Sequence, residues 1–364
     1  MPAFLESLRP ELAELTAYVP ASHAGVSVRL DANEAPPPAS PEVRDAVLAA
    51  VSRVALERYP DARALELKEA IAARTGSAAS SLVVGSGSDE IIALLATALA
   101  RPRGRMPHAA FLAPTPTFVM YGVTARAHGI RAVSVPLDAA WDLDVGAMTK
   151  AVELVRPNVV FVASPNNPTG NRMSRERLEA LAAAAQDAVV VLDEAYVDYA
   201  ADGSLRCLRE RFANVAVLRT LSKLGLAALR VGWLEADDAI VSALDKARQP
   251  FNVSATSQAA AAAVLRDAWG AVCGHARGVV LERERVAREI GALRGVRANA
   301  SETNFLWVET DAPAAQVHEG LLARGVLVRS FHAAGGRMAK HLRVTVGSRA
   351  ENDALLAALR QVCA

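Results

Sequence analysis

Cysteine is scarce in this chain. Cys207, Cys273 and Cys363 are the three thiols among 364 residues, and none forms a CxxC pair. That excludes a disulfide framework and a zinc pattern, and it makes a reducing cytoplasm the default location. Excess charge of either sign is also missing. Lys and Arg number 40 against 39 Asp and Glu, for a formal charge of +1. A chain so balanced has no electrostatic reason to bind nucleic acid or an anionic membrane. No run of about eighteen apolar residues is present to span a bilayer. The opening MPAFLESLRPELAEL places Glu and Pro where a signal peptide needs an unbroken apolar block. None of the 7 histidines stands in HExxH, and no GxSxG elbow exists. The segment GSGSDE lacks the third glycine of a dinucleotide fingerprint and is not followed by GK[ST]. Metal hydrolysis, serine hydrolysis and NAD or ATP binding therefore have no support, and no metal is expected.

What is present is ample core material, 52% hydrophobic with 22% charged residues, and a clear change of texture along the chain. Residues 1–39 read as an N-terminal arm, punctuated by Pro10, Pro20 and Pro36-Pro37-Pro38, extended around a short helix. Residues 40–252 read as a large domain. Ser40-Pro41 gives a cap followed by proline at the first helical position, and Val43, Ala46, Val47, Ala50, Val51 and Val54 recur at helical spacing. A second helix is expected over 64–75, stopping at Gly76. Further on, one format occurs three times. Apolar blocks at 158–163, 188–192 and 214–218 each run into a polar cluster: SPNNPTG, then Asp193-Glu194, then Arg219-Thr220-Leu221-Ser222-Lys223. Short β-branched blocks without alternation are what strands buried on both faces look like, and helical stretches such as 174–186 provide parallel crossovers. Residues 253–364 read as a smaller α+β domain. It has an alanine-rich helix at 255–268, a charged helix at 279–293, strands at Asn304 and Leu342, and a helix over 314–324 between them.

Ligands of open α/β sheets sit beyond the carboxyl ends of the strands, and all three polar clusters fall there. Asn167, Asp193, Tyr196, Ser222, Lys223 and Arg230 thus form one candidate site. A lysine in apolar surroundings beside a cation is suited to carbonyl chemistry. A lysine, an aspartate and a phosphate cradle together are what pyridoxal phosphate requires.

SPNNPTG, DEAY and TLSK followed by GLAALR, in that order, resemble the fold type I aminotransferases. LDANEAP at Leu30, RYPD at Arg58, GSGSDEII at Gly85, PTFVMY at Pro116, SETNF at Ser301 and LRVTVGSR at Leu342 narrow the resemblance to the histidinol-phosphate aminotransferase family. It implies a large, mostly parallel sheet flanked by helices, a smaller α+β domain, and a homodimer with shared sites. Lys223 would bond the cofactor and shuttle the α-proton. Asp193 would face the pyridine nitrogen, Asn167 and Tyr196 the ring hydroxyl, and Phe118 the ring face. Ser222, Arg230 and the amides of Ser88 and Asp89 at a helix start would hold the phosphate, with Tyr59 reaching it from the other subunit. Arg343 would take the glutamate carboxylate bidentately. Arg329 with Tyr18 would hold the distal carboxylate or substrate phosphate, and Asn33 would line the site near the arm. The implied reaction is ping-pong amino transfer between histidinol phosphate and 2-oxoglutarate, a step of histidine biosynthesis.

Taken singly, Asp193 reads as a helix cap or ion pair, Phe118, Tyr59 and Tyr18 as packing, and Arg329 and Arg343 as solvated cations. Lys223, with Ser222 and Arg230 at these spacings, does not. Ala228 stands where the family commonly has glycine, a small change unless the backbone there has positive φ. An aromatic aminotransferase and a phosphothreonine decarboxylase are the rival enzymes, and a non-catalytic binding module is the rival from another class.

Overall fold

A computed structural model describes residues 6, 9–15, 17, 25–38 and 40–363. The strand β1 (Val28–Leu30) comes first. It is followed by β2 (Leu82–Ser86), β3 (Ala110–Thr115), β4 (Arg131–Pro136), β5 (Val159–Ala163), β6 (Val189–Asp193), β7 (Val215–Thr220) and β8 (Val231–Glu235). Strands β2 to β8 form a seven-stranded sheet in the order β2-β8-β7-β6-β5-β3-β4. All its pairings are parallel except those of β8, which runs against both β2 and β7. The three apolar blocks of the sequence are the adjacent central strands β5, β6 and β7, so their polar ends meet at one edge. Val159 to Val162 are all completely buried, which is why this segment shows no alternation.

The helices between these strands form where the sequence expects them. Ser40 accepts a hydrogen bond from the Glu42 amide and Pro41 opens the helix Pro41–Val51. The helix Leu65–Thr75 stops at Gly76, which has φ +73°.

The second sheet holds β9 (Val296–Ala298), β10 (Phe305–Thr310), β11 (Val326–Ser330) and β12 (His341–Thr345), in the order β1-β11-β12-β10-β9. Part of the arm is therefore not irregular: β1 pairs in parallel with β11, Leu30 opposite Val328. Only three residues long, it carries too little pattern for periodicity to register. Nor does packing break at 252. Ala261, Ala262, Val264 and Leu265 of the helix Ala255–Asp267 share one core with Val43, Leu67, Ile71 and Val84. The charged helix is also longer than its sequence suggests, running from Trp269 to Gly291. Gly270, Gly274 and Gly278 lower its propensity, but burial of Val272, Ala276 and Val279 on that core overrides them. No helix among the described residues is long and apolar enough to cross a membrane.

Candidate active site

Asp193 is the last residue of β6 and is 5% exposed. Tyr121 donates its hydroxyl proton to Oδ2 at 2.6 Å, and the Ala195 amide donates to Oδ1 at 3.0 Å. Burial outweighs both bonds and pushes the carboxyl up to about 6. A buried carboxylate this costly is a place where a cationic partner would bind.

Lys223 follows β7 in a turn. Its ammonium lies 6.0 Å from the centroid of the Tyr196 ring. Tyr196 is held at the other end, where its hydroxyl accepts from Asn33 Nδ2 at 2.8 Å. Asn33 adopts φ 55°, and its amide donates to Thr345 Oγ1 at 3.0 Å. The arm is thereby tied both to the large sheet and to β12.

The anion-binding end is built by backbone geometry. Gly87 has φ +81°, and a Cβ there would come within 2.6 Å of Arg230 Nη2. Glycine thus lets the guanidinium lie directly over the turn that starts the helix Ser88–Ala98. Arg230 itself has φ 51°, a conformation uncommon without a structural demand. Its Nη1 reaches Ser222 Oγ at 3.4 Å, its Nη2 reaches Ser86 O at 3.4 Å, and Asp89 lies 4.0 Å away. Ala228 is in the short turn Ala227–Leu229 and is not among the residues with positive φ, so its methyl group is accommodated.

Ser88, Asp89, Phe118, Asn167, Asp193, Tyr196, Ser222, Lys223 and Arg230 all line one cavity. Arg343 joins it through Asn167, donating from Nη1 to Oδ1 at 2.7 Å, while Nη2 donates to Asp31 O at 2.5 Å. Arg329 stands directly opposite Arg343 in the β11–β12 ladder. The two side chains therefore leave the same face of the sheet.

Tyr59, expected to act across a subunit boundary, is 82% exposed and stacks on Phe251 at 4.7 Å. Tyr18 lies outside the described residues. Conversely, Tyr121 is in the site although the sequence reading passed over it. It stacks on Phe161 at 4.5 Å and meets Phe118 edge-on. The only signal was its place in PTFVMY, three residues after Phe118, one helical turn on.

Residues 26–359 match the family model for class I and II aminotransferases. The chain is 42% identical to histidinol-phosphate aminotransferase of Chromobacterium violaceum over 97% of both chains. It is 38% identical to that of Aquifex aeolicus over 92% of both. The crystal structure of histidinol-phosphate aminotransferase from Sinorhizobium meliloti in complex with pyridoxal-5'-phosphate superposes with a TM-score of 0.86. That pair shares 26% identity, covering 98% of this chain and 97% of the other. The chain belongs to the class I and II aminotransferases and, within them, to the histidinol-phosphate aminotransferase family.

Proposed function

We propose that this enzyme transfers an amino group between L-histidinol phosphate and 2-oxoglutarate, with pyridoxal 5'-phosphate as cofactor, in histidine biosynthesis. The observation that carries the reading is the convergence, in one cavity, of an amine, a buried carboxylate, an anion cradle and a flat aromatic face. A phosphorylated pyridine ring matches all four. Bound there, the cofactor supplies an electron-withdrawing ring that stabilises negative charge at the substrate α-carbon and carries the amino group between half-reactions.

The residues of this chain divide the remaining work. Lys223 would hold the cofactor and would move the proton at the substrate α-carbon. Asp193 faces the ring nitrogen, where a positive charge restores the ionisation that burial opposes. Tyr121 orients that carboxylate. Asn167 and Tyr196 donate to the ring oxygen, and Phe118 covers the ring face. Ser88 and Asp89 amides, Ser222 and Arg230 hold the phosphate. Arg343 binds the α-carboxylate, oriented by Asn167 and Asp31. Arg329, with Tyr18, binds the distal anion, and Asn33 holds Tyr196 in place.

The working unit is a homodimer in the cytoplasm. Tyr59, Leu56 and Phe251 are 82%, 82% and 41% exposed, apolar area suited to a second subunit, from which Tyr59 would reach the phosphate. The deciding measurement compares kcat/KM for histidinol phosphate, phenylalanine and phosphothreonine. Histidinol phosphate should lead by at least about a hundredfold. Release of carbon dioxide from phosphothreonine with no amino transfer would overturn the reading.

A further inference from the structure

The carbonyl of Lys223 has no main-chain donor among the described residues. On the other side of the same peptide, the Leu224 amide donates to Leu221 O at 3.1 Å. A carbonyl so placed needs another partner, and Tyr199 supplies one by donating its hydroxyl proton to Lys223 O. Tyr199 ends the short turn Val197–Tyr199 that directly follows Asp193 and Tyr196. It is 2% exposed and shares a core with Leu221, Leu224 and Leu226, which flank Lys223 on both sides. Its own carbonyl accepts a long bond, 3.5 Å, from Arg283 Nη1, which also donates to Thr303 O at 2.9 Å. The ring is thus held on the protein side, and the hydroxyl is the one polar group it directs at the turn. Burial, followed by the nearby Asp198 charge, pushes the phenol far above its ordinary range, so the proton stays available for donation. Tyr199 does not line the cavity.

We propose that Tyr199 is a positioning residue for Lys223. Its hydroxyl locks the peptide plane that follows the lysine and so sets the direction from which the ε-amino group approaches the cofactor and the substrate α-carbon. The inference rests on the assignment of Lys223 as the cofactor lysine. Small displacements of a reacting group cost rate more than affinity, and this separates positioning from simple packing.

Tyr199→Phe keeps the ring and removes one oxygen. In the holoenzyme, the rate of the glutamate half-reaction should fall about tenfold while KM for glutamate stays within about twofold. The pH at which the visible absorbance of the bound cofactor changes should shift, because the lysine environment changes. Borohydride reduction and peptide mapping should label Lys223 in both forms, and the melting temperature of the apoprotein should fall only by the small amount that one lost hydrogen bond costs in a chain of this size. An unchanged rate and absorbance titration, with Lys223 labelled, would overturn the proposal. So would a rate loss accompanied by a large drop in melting temperature and an unmoved absorbance titration, since that outcome describes a packing role. Failure to label Lys223 in the unmodified enzyme would instead overturn the assignment on which the proposal rests.

Discussion

The carboxyl edge of the seven-stranded sheet lines the cavity, while the five-stranded sheet reaches it through the bond from Arg343 to Asn167, and the two are made of different material. On the first, Asp193 and Ser222 are buried, each anchored by short-range bonds from Tyr121, Ala195 or Thr220. Those partners are Thr220 in β7, Ala195 in the turn after β6 and Tyr121 in the helix Met120–Ala127 between β3 and β4. On the second, Arg343 and Arg329 are paired across two strands. Arg343 is oriented by groups from elsewhere, Asn167 from the large sheet and Asp31 from the arm. One half carries its polar groups at the ends of buried strands; the other carries its arginines on a sheet face oriented by groups from distant segments. Under the proposed roles, chemistry and substrate binding rest on separate supports. Substitutions should therefore divide into losses of kcat and losses of KM.

Lys223→Ala tests the first half most severely. Turnover of histidinol phosphate should fall by more than about a thousandfold, with circular dichroism unchanged; retained turnover would dissolve the distinction altogether. Asp193→Asn comes next, with kcat reduced by on the order of a hundredfold or more. The same variant carries a signature in the apoprotein. Asp193 titrates near 6 when folded, against 3.8 for an ordinary aspartate. The folded form therefore holds the proton more tightly than the unfolded one, and stability contributed by this group is lost as pH rises from about 4 through 6. At 1.36 kcal/mol per pH unit the span amounts to about 3 kcal/mol. Urea unfolding of the apoprotein across that range should show the unmodified chain losing stability relative to Asp193→Asn as pH rises. Parallel curves would place the proton elsewhere.

Arg343→Lys probes the second half. Losing the two-pronged carboxylate contact should raise KM for glutamate about tenfold to a hundredfold with a smaller change in kcat. A fall in kcat alone would move Arg343 into the chemical half. The smallest effect is expected from Ser348→Ala. Ser348 and Glu351 form a capping box on the helix Arg349–Val362, so the melting temperature should drop by an amount corresponding to about 1 kcal/mol. Both kinetic constants should stay near normal, and a changed KM would mean that the small unit's stability and its arginine geometry are coupled.

Between these extremes lies Gly225, two residues past Lys223. With φ +77°, it lies so close to the arm that a Cβ would sit 2.9 Å from both Pro36 O and Pro38 Cδ. Glycine serves there for close approach: the proline triplet packs on the lysine turn. No local pattern announces that contact, because its two sides are far apart in the chain.

The chain by itself determined the parallel central strands, the polar clusters at their carboxyl ends and the assembly of Lys223, Asp193, Ser222 and Arg230. Each is written in contiguous residues, where burial on both faces suppresses alternation and a breaker marks the strand end. Tertiary structure alone decided that Val28–Leu30 joins the small sheet, that the glycine-bearing helix runs unbroken from Trp269, and that Tyr121 and Tyr199 serve the site. Those outcomes depend on what lies opposite a residue in space. Sequence periodicity reports which face of an element is apolar but not which partner covers it.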